Sequence, residues 1–192
     1  MTEPRIPLLT EAEAKETGDA HGVTEALSGL NIFRVLLRQP KLARSVQDLL
    51  VSLLAGEALD LRLRELIIMR IGWRTGSVYE WTQHWRVALQ LGVAEKDLLA
   101  VRDWENHDHW SETDRAVLRA TDETLDRGAI SATTWGECAR LLPEPAEQLE
   151  LVGAIGTWNM ISQILRSLEV PLEEGVAPWP PDGREGGARK SD

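Results

Sequence analysis

The sequence predicts an all-α protein. Three observations carry that prediction: almost every segment opens on a helix start signal, apolar residues recur at helical spacing, and no stretch alternates apolar and polar residues between hairpin turns. Of the 192 residues, 43% are apolar and 27% charged, a globular balance at a length suited to one domain.

Thr10 with Glu13 three residues later is a capping-box pattern that opens a short helix. A second helix is predicted from Thr24 to Arg38, and Pro40 starts a third that runs through Leu54. From Asp60 to about Trp73 the chain is apolar on most sides, with Leu63, Leu66, Ile67, Ile68, Met69 and Ile71, so this helix is expected at the centre of the core. Gly72 to Gly76 reads as a turn. Ser77 and Glu80 form another capping-box pattern, opening a helix that ends at Leu91-Gly92 and makes a hairpin with the preceding one. Further helices are predicted from Ala94 to Trp104, from Ser111 to Arg127-Gly128, from Ser131 to the residues before Pro143, and from Pro145 to Leu168, with a polar loop over 105–110. The expected organisation is an N-terminal arm with a short helix (1–23), a helical domain (24–174) and a mobile tail (175–192), the last because Pro178-Trp179-Pro180-Pro181-Asp182-Gly183 cannot bury enough apolar surface to order itself alone.

Composition excludes several functions. No apolar run approaches the roughly 20 residues that cross a bilayer, so no membrane partner is expected. Met1-Thr2-Glu3-Pro4 offers neither the basic segment nor the apolar run of a secretory signal, and a cytoplasmic location is expected. A net charge of -10, with Lys and Arg scattered among acids, argues against nucleic acid. The single cysteine, Cys138, cannot form an internal disulfide or a CxxC centre. His107-Asp108-His109, with Glu105 and Glu112, reads as a solvated loop, because three consecutive residues seldom project to one metal; neither metal nor cofactor is expected.

The chemistry-bearing residues concentrate in the predicted hairpin. Glu80 and His84, four apart, share a helix face, and Glu65 lies on the apolar helix before them. A carboxylate beside an imidazole, and a carboxylate in an apolar site, are how helical proteins make proton donors and acceptors that work near neutrality. Other readings stay open: Glu80 also sits where a capping-box glutamate belongs, His84 also suits a packed core histidine, and Glu65 also suits an ion pair with Arg62. Eight Trp against one Tyr and one Phe is unusual; Trp81 and Trp85, four apart, make a stripe that serves as core, subunit interface or ligand wall.

The stretch from Glu65 to His84 resembles the carboxymuconolactone decarboxylase/AhpD-like family, whose redox members carry Glu, eleven residues, Cys, two residues, Cys, three residues and His on such a hairpin. Glu65 and His84 match the family's glutamate and histidine, whereas Ser77 and Glu80 stand where its cysteines would be. Ala88-Leu89-Gln90-Leu91-Gly92 and the final helix around Trp158-Asn159-Met160 extend the resemblance. It implies an AhpD-like helical bundle built around the central hairpin. Without the cysteine pair, thiol peroxide reduction is not expected. The implied activity is a cofactor-independent acid–base lyase or isomerase (decarboxylation, isomerisation, dehydration or lactone ring-opening) on a small enolisable or lactone-like substrate. In it His84, Glu80 and Glu65 are catalytic, and Trp73, Arg74, Trp81, Trp85, Trp158 and Asn159 are substrate-binding. The alternatives are a peroxidase using the lone Cys138 and a non-enzymatic binding module with a Trp-lined cavity. The resemblance also implies a homo-oligomer, a trimer or hexamer.

Overall fold

The computed structural model describes residues 3–179, 182, 184, 186 and 187. Among these residues there are ten α-helices, one 3₁₀ segment and no strand. The chain divides into two compact units, one from residues 1–55 with 163–177, the other from 56–162 with 178–192.

In the first unit, α1 (Glu11–His21) opens on the expected capping box, with Thr10 and Glu13 bonded reciprocally, and ends at Gly22 in the left-handed region (φ 75°). The predicted helix over 24–38 is two shorter ones, α2 (Glu25–Ser28) and α3 (Asn31–Leu36). Leu30 between them is extended (ψ 139°), and the Asn31 N–H donates to Glu173 Oε1 at 3.0 Å instead of to a preceding helical turn. Gly29, with its low helix propensity, makes the break inexpensive. In α4 (Pro40–Leu54), proline takes the first position, where no N–H is needed, and the Gln39 side chain accepts from the Lys41 and Leu42 amides.

The second unit is built around α5 (Leu61–Thr75) and α6 (Val78–Gln90). Asp60 caps α5 by accepting from the Arg62 and Leu63 amides, and every residue from Leu63 to Gly72 is buried, as the all-round apolar pattern requires. The helix does not stop at Gly72. It runs on to Thr75, and the turn is confined to Gly76 (φ 72°) and Ser77, with the Ser77 N–H returning to Gly72 O at 2.9 Å. Gly72 instead serves the packing of the hairpin, since a Cβ there would stand 3.2 Å from the Trp81 amide nitrogen. The predicted helix over 94–104 is α7 (Glu95–Ala100) followed by a 3₁₀ segment (Val101–Asn106) in which Asp103 leaves helical geometry (φ -143°). The remaining helices, α8 (Glu112–Arg127), α9 (Ala132–Leu141) and α10 (Pro145–Ser167), lie where their caps and glycines predict, α8 with a Ser111–Asp114 capping box. Leu66, Met69, Trp81, Trp85, Leu98 and Leu118 form the heart of this unit's core.

Candidate active site

Burying α5 on all sides forces its charged residues inward, and Glu65 is completely enclosed. A carboxylate there needs partners. Its Oε2 lies 2.9 Å from His84 Nδ1, and the Arg64 guanidinium Nε is 3.5 Å from its Oε1. On α6, His84 keeps 17% of its side chain exposed while its ring spans two neighbours: Glu65 at Nδ1 and, at Nε2, the Trp158 indole N–H of α10, 3.1 Å away. An indole nitrogen can only donate, so Nε2 must accept and the imidazole proton must reside on Nδ1, pointing at Glu65. The three residues therefore hold a neutral imidazole in one tautomer, braced from both sides.

Glu80 is not part of that chain. It is buried, and its Oε2 accepts from the Ser162 hydroxyl on α10, while Oε1 has no hydrogen-bond partner. Burial pushes its carboxyl well above the usual carboxylate range. Nor is Glu80 the cap that its spacing from Ser77 suggests: the Ser77 side chain caps nothing, and its buried Oγ is without a partner. Both residues are buried, and the Glu80 carboxyl is taken up by Ser162 on α10 instead.

The expected substrate-binding residues separate into three places. Trp158 contacts His84, with Asn159 half-buried beside it on α10. Trp73, Trp81 and Trp85 form a run of indoles, with centroids 5.4 Å apart from Trp73 to Trp81 and 6.3 Å from Trp81 to Trp85. Trp73 and Trp81 border a cavity of about 370 Å³ that none of Glu65, His84 and Trp158 lines. Arg74 faces Asp122 (2.9 Å) and Asp126 (2.5 Å).

Four participants escaped the sequence reading. Ser162 meets Glu80 and Arg64 stands beside Glu65; both lie on apolar helices with no local motif to mark them. Arg102 lies over the Trp73 and Trp81 rings, 4.9 and 5.4 Å from their centroids. Trp179, placed by its sequence in a tail, stacks on Trp85 at 4.2 Å, and its backbone N–H donates to Thr82 Oγ1 at 2.9 Å. Of that tail, residues 180, 181, 183, 185 and 188–192 lie outside the described residues. Cys138 is fully buried, its thiol pushed up to about 11 by burial and by the Glu137 charge, with Sγ directed at Ala116 O. The loop histidines do not gather a ligand set; His109 Nε2 lies 3.1 Å from Asp97. Among the described residues no helix is long and apolar enough to cross a membrane.

An all-helical chain with a glutamate–histidine pair across its central hairpin, and no thiol at either cysteine position, is an AhpD-like fold in a form without the redox pair. Residues 40–123, which contain the whole hairpin, match the profile of the carboxymuconolactone decarboxylase family. Solved structures with the same fold include the debrominase Bmp8 in complex with 2,3,4-tribromopyrrole (TM-score 0.73, 16% identity, covering 91% of this chain and 92% of that one). They also include a protein from Agrobacterium tumefaciens described as a putative antioxidant defence protein AhpD (0.65, 19%, 71% and 93%). A third is a peroxidase-related protein with the alkylhydroperoxidase AhpD core from Ralstonia eutropha JMP134 (0.72, 13%, 93% and 99%). A comparison with curated proteins finds no match.

Proposed function

We propose that this protein is an acid–base lyase or isomerase acting on a small enolisable or lactone-like substrate, with His84 as the proton-transferring group. The observation that carries the reading is the Glu65–His84–Trp158 chain. Trp158 holds Nε2 in its proton-accepting form. When Nε2 takes a proton from substrate, the positive charge develops 2.9 Å from an enclosed carboxylate, which stabilises it and keeps the ring oriented. Protonated Nε2 can no longer accept from the indole, so the loss of that bond favours handing the proton back to the product. Glu65 is thus the carboxylate that orients His84, and Glu80, its carboxyl raised by burial and linked to Ser162, is a second acid on the same helix as His84. The matching family is named for a lactone decarboxylase, and a debrominase of the same fold holds a small ring compound, 2,3,4-tribromopyrrole. A lone-thiol peroxidase would need an exposed thiolate, which Cys138 does not supply.

The test is turnover of a panel of β-keto acids, unsaturated lactones and cyclic enols, followed by absorbance and by solvent deuterium incorporation. His84→Asn and Glu65→Gln are each expected to cost about 10²–10⁴-fold in kcat, whereas Cys138→Ala keeps the parent rate. Full activity in His84→Asn, or a panel without any turnover, sinks the acid–base reading.

A further inference from the structure

Both ring nitrogens of His84 are engaged in the folded chain. Nδ1 lies 2.9 Å from Glu65 Oε2 on α5, and Nε2 lies 3.1 Å from the Trp158 indole nitrogen on α10. With the Nδ1 proton pointing at the carboxylate, the one lone pair the imidazole can offer is at Nε2, and that lone pair already receives the indole N–H. His84 keeps 17% of its side chain exposed, yet its basic atom is covered by a residue that is itself only 2% exposed.

The contact is directed. The indole stands edge-on to the imidazole, with centroids 5.8 Å apart and an interplanar angle of 82°, so the edge that carries the N–H faces the ring it serves. Burial of an indole does not by itself impose such a bond in this chain, since the buried Nε1 atoms of Trp81 and Trp110 have no hydrogen-bond partner. A base whose lone pair is occupied takes a proton from substrate only after the occupant lets go. The net worth of one neutral hydrogen bond corresponds to about a three- to tenfold bias toward the covered state, enough to close the site at rest and small enough for a substrate to open it.

We propose that Trp158 is a positioning residue that latches His84: its N–H covers Nε2 in the resting protein and is displaced when substrate enters. The proposal rests on the acid–base reading of His84 and adds the regulation of that site. It also restricts the substrate to compounds that bring a polarised hydrogen to Nε2 in place of the indole N–H, and it discriminates against ligands that offer only acceptors there.

Diethyl pyrocarbonate, which acylates an imidazole through a free lone pair, tests the latch without any substrate. Mass spectrometry of a digest reads His84 against the exposed His21 as internal standard. In the parent, His84 is expected to react more slowly than His21. Relative to His21, its rate should rise about three- to tenfold in Trp158→Phe. Because phenylalanine is also smaller, 3-benzothienylalanine placed at position 158 supplies the second variant, with the ring shape kept and the N–H gone. It should show the same rise, together with a shift of the His84 Nε2 resonance in ¹⁵N NMR. Parent-like acylation or an unmoved resonance in the benzothienyl variant overturns the latch, as does a parent His84 that reacts as fast as His21. Should Trp158→Phe not fold, the benzothienyl variant carries the decision. Failure of the two ideas looks different: a latched His84 in a protein without turnover sinks the acid–base reading alone, and an open His84 in a protein that loses turnover on His84→Asn sinks the latch alone.

Discussion

Glu80 is a carboxyl held away from water. Its carboxyl is enclosed, one oxygen is bonded only to Ser162, the other to nothing, and burial raises its pKa well above 4.5. A raised acid pKa means that the folded state holds the proton more tightly than the unfolded chain. Its contribution to stability is full below the ordinary carboxylate range and is lost as pH rises through the folded-state value. The melting temperature of the parent should therefore fall with rising pH above about pH 5, and Glu80→Gln, which cannot ionise, should remove much of that fall and melt higher than the parent near pH 8. Parallel melting curves for the two proteins across that range would contradict a buried, proton-retaining carboxyl. The spacing to Ser77 suggested a helix cap and the spacing to His84 a hydrogen-bonded pair. Neither forms, because local spacing says which residues share a face and nothing of which neighbour that face meets.

Among the elements, α5 carries most of the consequence. A helix buried along ten consecutive residues that include Arg64, Glu65 and Arg70 must find partners for each charge. Arg70 does so through two 2.7 Å bonds to Asp122 on α8 and through the Val101 and Arg102 carbonyls at 2.7 and 2.9 Å. Asp122 also accepts from the Trp104 indole at 2.9 Å and pairs with Arg74. It is the carboxylate that ties α5, α8 and the 3₁₀ segment together. Asp122→Ala leaves the Arg70 charge buried without its carboxylate and should cost about 3–5 kcal/mol in denaturant unfolding. Asp126→Ala, which removes an exposed partner of Arg74, should change little. The sequence shows the apolar faces of these helices and their caps at Asp60 and Ser111. It does not show Asp122 as a hub, because an aspartate on an amphipathic helix looks the same whether it faces solvent or a buried arginine.

For the whole molecule, the open question is assembly. Large apolar side chains remain exposed on α4 (Leu42 49%, Val51 48%), on α6 (Val78 49%) and on α10 (Leu149 74%, Val152 46%). Such positions are commonly covered in symmetric homo-oligomers. We expect the trimer or hexamer that the family resemblance implies, with light scattering at micromolar concentration giving a mass three or six times that of the 21.4 kDa chain. Glu substituted for Leu149 should shift the distribution toward monomer, and a monodisperse parent monomer would rule the expectation out.

Some properties of this chain follow from its sequence alone, since they depend on residues close together: the all-α class, the capped starts of α1, α5, α8 and α9, the glycine stops, and a central apolar helix followed by a hairpin. The pairing of Glu65 with His84 was within reach only through the family spacing. Tertiary structure decided the rest: that His84 takes Glu65 and Trp158 as partners, that Glu80 turns to Ser162, and that Trp179 returns to the indoles of α6. The physical reason is distance along the chain. Caps and turns are settled by backbone groups within a few residues, whereas a buried carboxylate or imidazole takes whichever partner the packing of separate helices brings within 3 Å or so, and that is a property of the fold.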